Sequence, residues 1–219
     1  MSDAAAVARL RAADPVLGAL IDRLGPLERR SRARHPAPGE RYALLVRTIA
    51  GQQLSTKAAD AIWLRLVTHF GGRAPAPHEV LAADPQALRA AAGLSRAKVA
   101  YLRSLAEHVE DGRLELDRLD ELDDDAVMAE LVAVRGIGEW SAHMFLMFAL
   151  GRPDVLAPGD LGIRRAIMLA YALEAMRAPA QVVALAERWR PQRTLACLYL
   201  WRSIEGEPSE AWSPPCARP

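Results

Sequence analysis

Apolar side chains recur every three or four positions along most of this chain, which is the spacing of amphipathic α-helices. In residues 55–70 the stripe follows Ser55, a good helix-capping residue. No stretch alternates apolar and β-branched residues over the length of a strand, so we predict an all-α protein. The same spacing predicts further helices at 2–24 with a break at Asp14 and Pro15, from 42, from 80, at 85–92, 95–112, 124–134 and 140–150, from 161, and at 179–188 and 194–206.

A glycine turn, Gly136 to Gly138, joins two of the apolar helical runs. We expect Gly136 to adopt the positive φ of a tight helical turn, and Gly138 to let the next helix begin close to a ligand. Backbone N–H groups and the dipole at that helix N-terminus favour an anion such as phosphate. A helical hairpin that binds nothing is the alternative, and the turn alone does not decide between them.

An acidic residue, Asp160, follows Pro158 and Gly159 and opens the next helix. Aspartate is a favourable N-cap, worth about 1 kcal/mol. Arg164 and Arg165 follow within five residues and carry positive charge that could attract phosphates. The pattern therefore leaves two roles open for Asp160, helix cap and catalytic acid, and the two can coexist.

The turn after the helix from residue 42 carries Gln52, Gln53 and Leu54, an unusual composition for a plain connector. One explanation is that the two amides hydrogen-bond to nearby backbone groups. The other is that this turn serves a function. The local sequence supports both equally.

Charge is distributed unevenly, although the formal net charge is only +1. Residues 111–130 hold nine acidic residues and two arginines, a charge of −7, which leaves +8 for the remainder. A basic remainder permits nucleic-acid binding without requiring it, and a solvated, balanced surface explains the same numbers. Charge alone therefore does not identify a partner.

Two cysteines, Cys197 and Cys216, are too few for a four-cysteine iron–sulfur cluster or a zinc site of that kind. Cys197 lies in an apolar helical run and is expected to be a small core residue. The N-terminal segment does not resemble a signal peptide, and no apolar run reaches the length of a membrane span. We therefore expect a soluble, cytoplasmic protein of the bacterial intracellular type.

Three segments occur in an order and spacing that cover roughly residues 40–205: GQQLSTKAADAI at 51–62, VRGIGEWSAHMF at 134–145 with PGD at 158–160, and AERWRPQRTLACLYLW at 186–201. Together they resemble the helix-hairpin-helix DNA glycosylases, most closely the 3-methyladenine DNA glycosylase II branch. The resemblance implies a two-lobed helical fold with an active-site cleft between the lobes. It places residues 40–115 in one lobe, 1–39 with 116–205 in the other, and a Pro-rich tail at 206–219.

The same resemblance implies a base excision repair enzyme that flips alkylated purines out of double-stranded DNA and hydrolyses their N-glycosidic bonds. The expected substrates are 3-methyladenine and 7-methylguanine, with 1-methyladenine as a further candidate. The implied roles are catalysis for Asp160; a base pocket of Trp140, Trp201 and Met144; a wedge into DNA by Gln53 or Leu54; phosphate binding by Gly136, Gly138 and Ser141; and a structural Na⁺ or K⁺ on the carbonyls of Val132, Val134 and Ile137.

The chain departs from the family pattern at Arg135, where the family usually has proline. Family members that also cut the DNA strand use a lysine where this chain has Trp140, and its only lysines are Lys57 and Lys98. We therefore predict a monofunctional enzyme. The two cysteines are too few for the iron–sulfur cluster of some family members. We also expect a monomer, and the resemblance to DNA repair enzymes implies association with the nucleoid. The alternatives are a non-catalytic binder of distorted or damaged DNA and a bifunctional glycosylase/lyase.

Overall fold

The computed structural model describes residues 3–27 and 35–205, and the regular structure within those ranges is helical. The predicted all-α class is therefore confirmed. Short 3₁₀ turns lie at Pro38–Glu40 and Glu187–Trp189. The α-helices of the described ranges are α1 Asp3–Ala13, α2 Pro15–Leu24, α3 Arg41–Gly51, α4 Thr56–His69, α5 Pro77–Ala82, α6 Pro85–Ala92, α7 Arg96–Glu110, α8 Asp124–Ala133, α9 Glu139–Phe148, α10 Leu161–Ala170, α11 Pro179–Ala186 and α12 Arg193–Ser203.

Side-chain caps define several of the helix starts that the sequence predicts. Ser55 accepts the N–H of Ala58 at the start of α4, and Ser95 accepts that of Lys98 at the start of α7. The predicted start at residue 80 was wrong, because α5 begins at Pro77. A proline fits the first helical position, where its missing N–H costs nothing.

Contacts between Cα atoms divide the described residues into two compact units. The first unit contains residues 3–27 and 143–205, the second contains residues 35–142, and the chain passes between them within α9. This boundary differs from the predicted one, since residues 116–142 group with the segment before them. The side chain of Arg41 in α3 bonds to the segment after α7. It donates to the carbonyl of Leu116 at 2.7 Å and to the carboxylate of Asp120 at 2.6 Å. The predicted tail at 206–219 lies outside the described residues.

The first unit is built around α12, which packs against α1, α2 and α10. Asp14 is 1% exposed, and it caps α2 while accepting hydrogen bonds from the Tyr171 hydroxyl and, at 2.9 Å, from the Trp189 indole. Cys197 is fully buried, as predicted. The apolar core of the unit includes Leu10, Leu17, Ile21, Ile163, Ile167, Trp189 and Leu200.

The second unit is built around α7, which packs against α3, α5 and α6, while α4 packs against α3 and α6. Its buried apolar side chains include Leu45, Ile49, Leu66, Leu88, Leu102, Leu105 and Leu131. This packing leaves part of α7 facing the segments that follow α3 and α8. Across the described ranges, no helix combines the length and apolar character that a membrane crossing requires.

Candidate active site

Asp160 lies at the N-terminus of α10 in the first unit, with 8% of its surface exposed. Its Oδ1 accepts the backbone N–H of Ile163 at 2.7 Å and the indole N–H of Trp201 at 2.9 Å. Two donors on one oxygen fix the orientation of the carboxylate. The neighbouring Leu161 is 62% exposed, so this end of α10 reaches the surface of the unit. The structure therefore confirms the predicted cap, and the catalytic role of the same side chain stays a prediction.

Gly162, two residues after Asp160, contributes to the site, and its role was not predicted from the sequence. A Cβ at this residue would lie 3.1 Å from Oδ1 of Asp160 and 3.2 Å from Cδ1 of Trp201. Those distances are shorter than ordinary van der Waals contact. The glycine lets the first turn of α10 approach the indole of α12. The sequence contains the glycine, but only the packing of two distant helices reveals its purpose.

The predicted base-pocket residues have very different exposures. Trp201 is 5% exposed and Met144 is 4% exposed, whereas Trp140 is 39% exposed. The Trp201 ring lies beside Phe148, with ring centroids 6.1 Å apart and an interplanar angle of 30°. Phe148 was another residue missed by sequence reasoning. Among the three predicted residues, Trp140 thus offers the largest accessible indole or thioether surface.

The predicted glycine turn lies between α8 and α9, in the second unit. Gly136 has φ +95°, as the sequence indicated. A Cβ at Gly136 would lie only 2.2 Å from Cγ of Tyr101. Both this clash and the positive φ exclude a side chain at this position. A Cβ at Gly138 would meet no atom within 4 Å, which places this residue against open space. Ser141 follows in the first turn of α9 and is half-buried.

Arg135, the residue that replaces the usual proline, is exposed beside this turn. Its backbone N–H donates to the Ser104 hydroxyl at 3.1 Å. Its guanidinium carbon lies 6.0 Å from the centroid of the Tyr101 ring. The hairpin therefore presents a positive charge at the surface, and α7 holds the residue through both backbone and side chain.

The turn of Gln52, Gln53 and Leu54 contacts the hairpin directly. The side-chain amide of Gln52 donates to the carbonyl oxygen of Gly136 at 2.8 Å, so the local-backbone explanation for this glutamine was wrong. Gln53 has φ +60°, an uncommon conformation for a residue other than glycine. Gln53 and Leu54 are both exposed, as a side chain that enters DNA must be, and the wedge role of one of them stays a prediction.

The predicted cation site would use carbonyl oxygens from the end of α8 and the hairpin. Such oxygens are the donors that Na⁺ and K⁺ take from a protein backbone. The carbonyl of Val134 already accepts the N–H of Ile137 at 3.0 Å, and a carbonyl oxygen has a second lone pair for a cation. Val132 and Ile137 belong to the same short segment. The donor set fits a monovalent cation, which remains a prediction.

Lys98 lies on α7, in the same unit as the hairpin. Its Nζ donates to the carbonyl of Ala50 at 2.8 Å, immediately before the turn at Gln52. Desolvation by burial lowers the pKa of this ammonium group. The other lysine, Lys57, is exposed on α4.

A family model described as HhH-GPD superfamily base excision DNA repair protein matches residues 46–192. The Bacillus subtilis protein YfjP is 33% identical over 75% of this chain, but the chain spans only 59% of YfjP. Across the first three curated relatives the chain spans between 44% and 72% of their lengths. Those relatives are therefore longer proteins to differing degrees.

Two solved structures are similar over nearly the whole chain. The crystal structure of a DNA-3-methyladenine glycosidase from Bacillus halodurans has a TM-score of 0.82 and 36% identity, covering 93% of this chain and 91% of that one. The Schizosaccharomyces pombe 3-methyladenine DNA glycosylase Mag1, solved in complex with abasic DNA, has a TM-score of 0.77 and 30% identity. That match covers 91% of this chain and 96% of Mag1.

Proposed function

Because the chain belongs to the HhH-GPD superfamily of base excision DNA repair proteins, we propose that it is a monofunctional DNA glycosylase for alkylated purines. The observation that carries this proposal is the oriented carboxylate of Asp160, held by Ile163 and Trp201 at the surface end of α10. The similar enzymes from Bacillus halodurans and Schizosaccharomyces pombe act on 3-methyladenine by name, and the latter binds the abasic DNA that base removal leaves.

The first requirement is access to the base. A base stacked in a duplex is out of reach, and flipping it out costs a few kcal/mol, less for a damaged base. We propose that Gln53 or Leu54, both exposed, fills the gap that the base leaves. The N–H groups at Gly138 and Ser141 bind a DNA phosphate at the start of α9, which positions the duplex without reading its sequence.

The second requirement is recognition of the damaged base. Alkylation makes a purine cationic, and an indole face attracts a cation by about 0.5–2 kcal/mol. Trp140 is the predicted pocket residue with the most exposed ring, so we assign this stacking to it. Trp201 uses its N–H to hold Asp160, and it and Met144 supply apolar packing.

The third requirement is cleavage of the N-glycosidic bond. As the bond breaks, positive charge develops on the deoxyribose, and a fixed carboxylate stabilises it electrostatically. Asp160 fills this role and orients or deprotonates the attacking water. A cationic purine is already a good leaving group, so one acid suffices.

Strand cleavage is not part of the proposed reaction. A lyase needs an amine nucleophile at the reacting sugar. The position that carries lysine in strand-cutting relatives is Trp140, and Lys98 donates to the carbonyl of Ala50. We expect the protein to act as a monomer on double-stranded DNA, with a structural Na⁺ or K⁺ and no iron–sulfur cluster.

The test is base release from a panel of duplexes that each contain one lesion: 3-methyladenine, 7-methylguanine, 1-methyladenine, ethenoadenine or hypoxanthine. We expect release from at least the first two, and Asp160→Asn to abolish release while binding to an abasic duplex persists. No release by the wild-type protein, with binding retained, would instead identify a non-catalytic binder of damaged DNA. A covalent protein–DNA species trapped by borohydride would identify a lyase.

A further inference from the structure

A side-chain hydrogen bond joins the turn at Gln52 to the hairpin at Gly136. The two residues are 84 positions apart in the chain, and the amide nitrogen lies 2.8 Å from the carbonyl oxygen in a partly buried place. Removing the donor would leave that acceptor unsatisfied, which costs more than the hydrogen bond itself contributes. Gln52 therefore fixes the distance between the exposed residues that follow it and the hairpin.

One side of α7 supports both segments. Lys98, Tyr101 and Ser104 are spaced three residues apart, so they lie along neighbouring positions of the helix surface. Lys98 holds the carbonyl of Ala50 before the turn, and Ser104 holds the N–H of Arg135 before the hairpin. Between them, the ring of Tyr101 fills the space that a Cβ on residue 136 would need. The helix thus determines where each segment lies.

The turn that these contacts hold is conformationally strained. Gln53 has φ +60°, and this left-handed conformation is unfavourable for a residue with a side chain, because its Cβ approaches the following carbonyl oxygen. Strain of this kind persists only where surrounding contacts determine the backbone, and it is concentrated at functional sites. The amide of Gln52, one residue earlier, provides such a contact.

We propose that Gln52 is a positioning residue for base flipping, which sets the spacing between the wedge residues and the phosphate-binding hairpin. This proposal rests on the proposed function, because the Gln52–Gly136 hydrogen bond can affect base flipping only if the turn and the hairpin both contact DNA. Gln52 does not touch the reacting atoms. Its loss weakens the extrusion of a paired base and leaves the chemistry at Asp160 intact.

The test compares lesion release from duplex and from single-stranded DNA under single-turnover conditions. A base in a single strand needs no opposing strand displaced and no gap filled, so it depends little on the wedge. The variant is Gln52→Glu, which keeps the length of the side chain but replaces the N–H donor by a carboxylate that faces the Gly136 carbonyl. The matched control is Gln86→Glu, at an exposed position of α6 in the same unit.

We expect Gln52→Glu to slow release from duplex DNA by about tenfold or more, the effect of an unsatisfied partly buried acceptor. Release from single-stranded DNA should stay within about twofold of wild type, since the unstacking step is largely absent there. Gln86→Glu should change neither rate. An equal fall on both substrates would show that Gln52 only stabilises the fold, and unchanged rates on both would show that the bond does not matter; either result overturns the proposal.

A second measurement separates this proposal from the proposed function. Base unstacking is followed by the fluorescence of 2-aminopurine placed opposite a stable abasic analogue in a duplex, with no bond cleavage. The wild type should increase the fluorescence on binding, and Gln52→Ala should lose most of that increase while thermal unfolding shows a folded protein. If the wild type releases no base, the proposed function fails, and this fluorescence comparison alone then decides for or against Gln52.

Discussion

The indole N–H of Trp201 donates to Oδ1 of Asp160 at 2.9 Å, joining α12 to the N-terminus of α10. The same oxygen accepts the backbone N–H of Ile163, so the aspartate is a helix cap and an oriented carboxylate at once. The two roles require the same geometry. A cap holds its carboxylate over the helix N-terminus, and a catalytic acid needs a carboxylate that does not rotate.

Trp201→Phe removes the donor to Asp160 while keeping an aromatic ring against Phe148. We expect base release to slow by roughly tenfold, since a charge-assisted hydrogen bond of about 1.5–3 kcal/mol no longer orients the carboxylate. Binding to an abasic duplex should change little. Single-turnover rates and binding titrations measure the two quantities.

Trp63→Phe is the matched control, because it makes the same substitution at a half-buried tryptophan of the second unit, beside Arg47. Its rate should match that of the wild type. An unimpaired Trp201→Phe enzyme would show that Ile163 alone orients the acid.

Gly162→Ala tests the close approach of α10 and α12. Alanine normally stabilises a helix relative to glycine by roughly 0.5–1 kcal/mol. Here the new Cβ would lie 3.1 Å from Oδ1 of Asp160, so the carboxylate or the indole must shift by a few tenths of an ångström. We expect base release to fall several-fold, because small misplacements of a catalytic group are costly, with little change in the melting temperature.

Gly39→Ala provides the comparison, since a Cβ there meets no atom within 4 Å. It should leave the rate unchanged. If Gly162→Ala were as active as Gly39→Ala, the prediction would be wrong, because displacing the Asp160 carboxylate or the Trp201 indole would not slow base release.

Gly136→Ala and Gly138→Ala should fail in different ways. At Gly136 the Cβ collides with Tyr101 and φ is +95°, so we expect a loss of a few kcal/mol in the free energy of unfolding. At Gly138 the Cβ meets only open space, so the fold should persist. The added methyl group would nevertheless obstruct a phosphate at the start of α9, and we expect several-fold weaker binding to duplex DNA.

Thermal unfolding and DNA-binding titrations of both variants check this pair. Equal DNA affinity for Gly138→Ala and the wild type would argue against phosphate binding at the hairpin. Normal stability of Gly136→Ala would contradict the packing against Tyr101.

Local chemistry allowed the sequence to predict most helix starts and the conformation of Gly136, because caps and glycine turns depend on neighbouring residues. It could not predict the contacts of Gln52, whose partner lies 84 positions away. Gly162 was missed for the same reason, since its importance arises from Trp201 on another helix. The roles proposed for Asp160 and the hairpin in DNA repair rest on a resemblance over three segments, because the local sequence left these roles open.

The buried carboxylate of Asp14 makes the stability of the protein depend on acid. Burial on its own would raise the pKa of Asp14, but hydrogen bonds from Tyr171, Trp189 and the backbone of Leu17, with the charge of Arg188, together lower the pKa below its ordinary value. A carboxyl whose pKa is depressed in the folded state contributes stability above its unfolded pKa of about 4. That contribution is lost as the pH falls through the folded value.

Asp14→Asn should therefore lower the free energy of unfolding at pH 7 by roughly 1–3 kcal/mol, since the amide has one acceptor oxygen and its NH₂ group cannot accept the hydrogen bonds made to the other carboxylate oxygen. Below about pH 4 the difference from wild type should shrink, because the wild-type carboxyl becomes protonated there. Urea unfolding between pH 3 and pH 7 measures both free energies. Asp22→Asn is the control, since its pair with Arg11 is exposed and such pairs contribute little. A difference between Asp14→Asn and wild type that stayed constant with pH would show that Asp14 stabilises the first unit by packing and capping, without linkage to its ionisation.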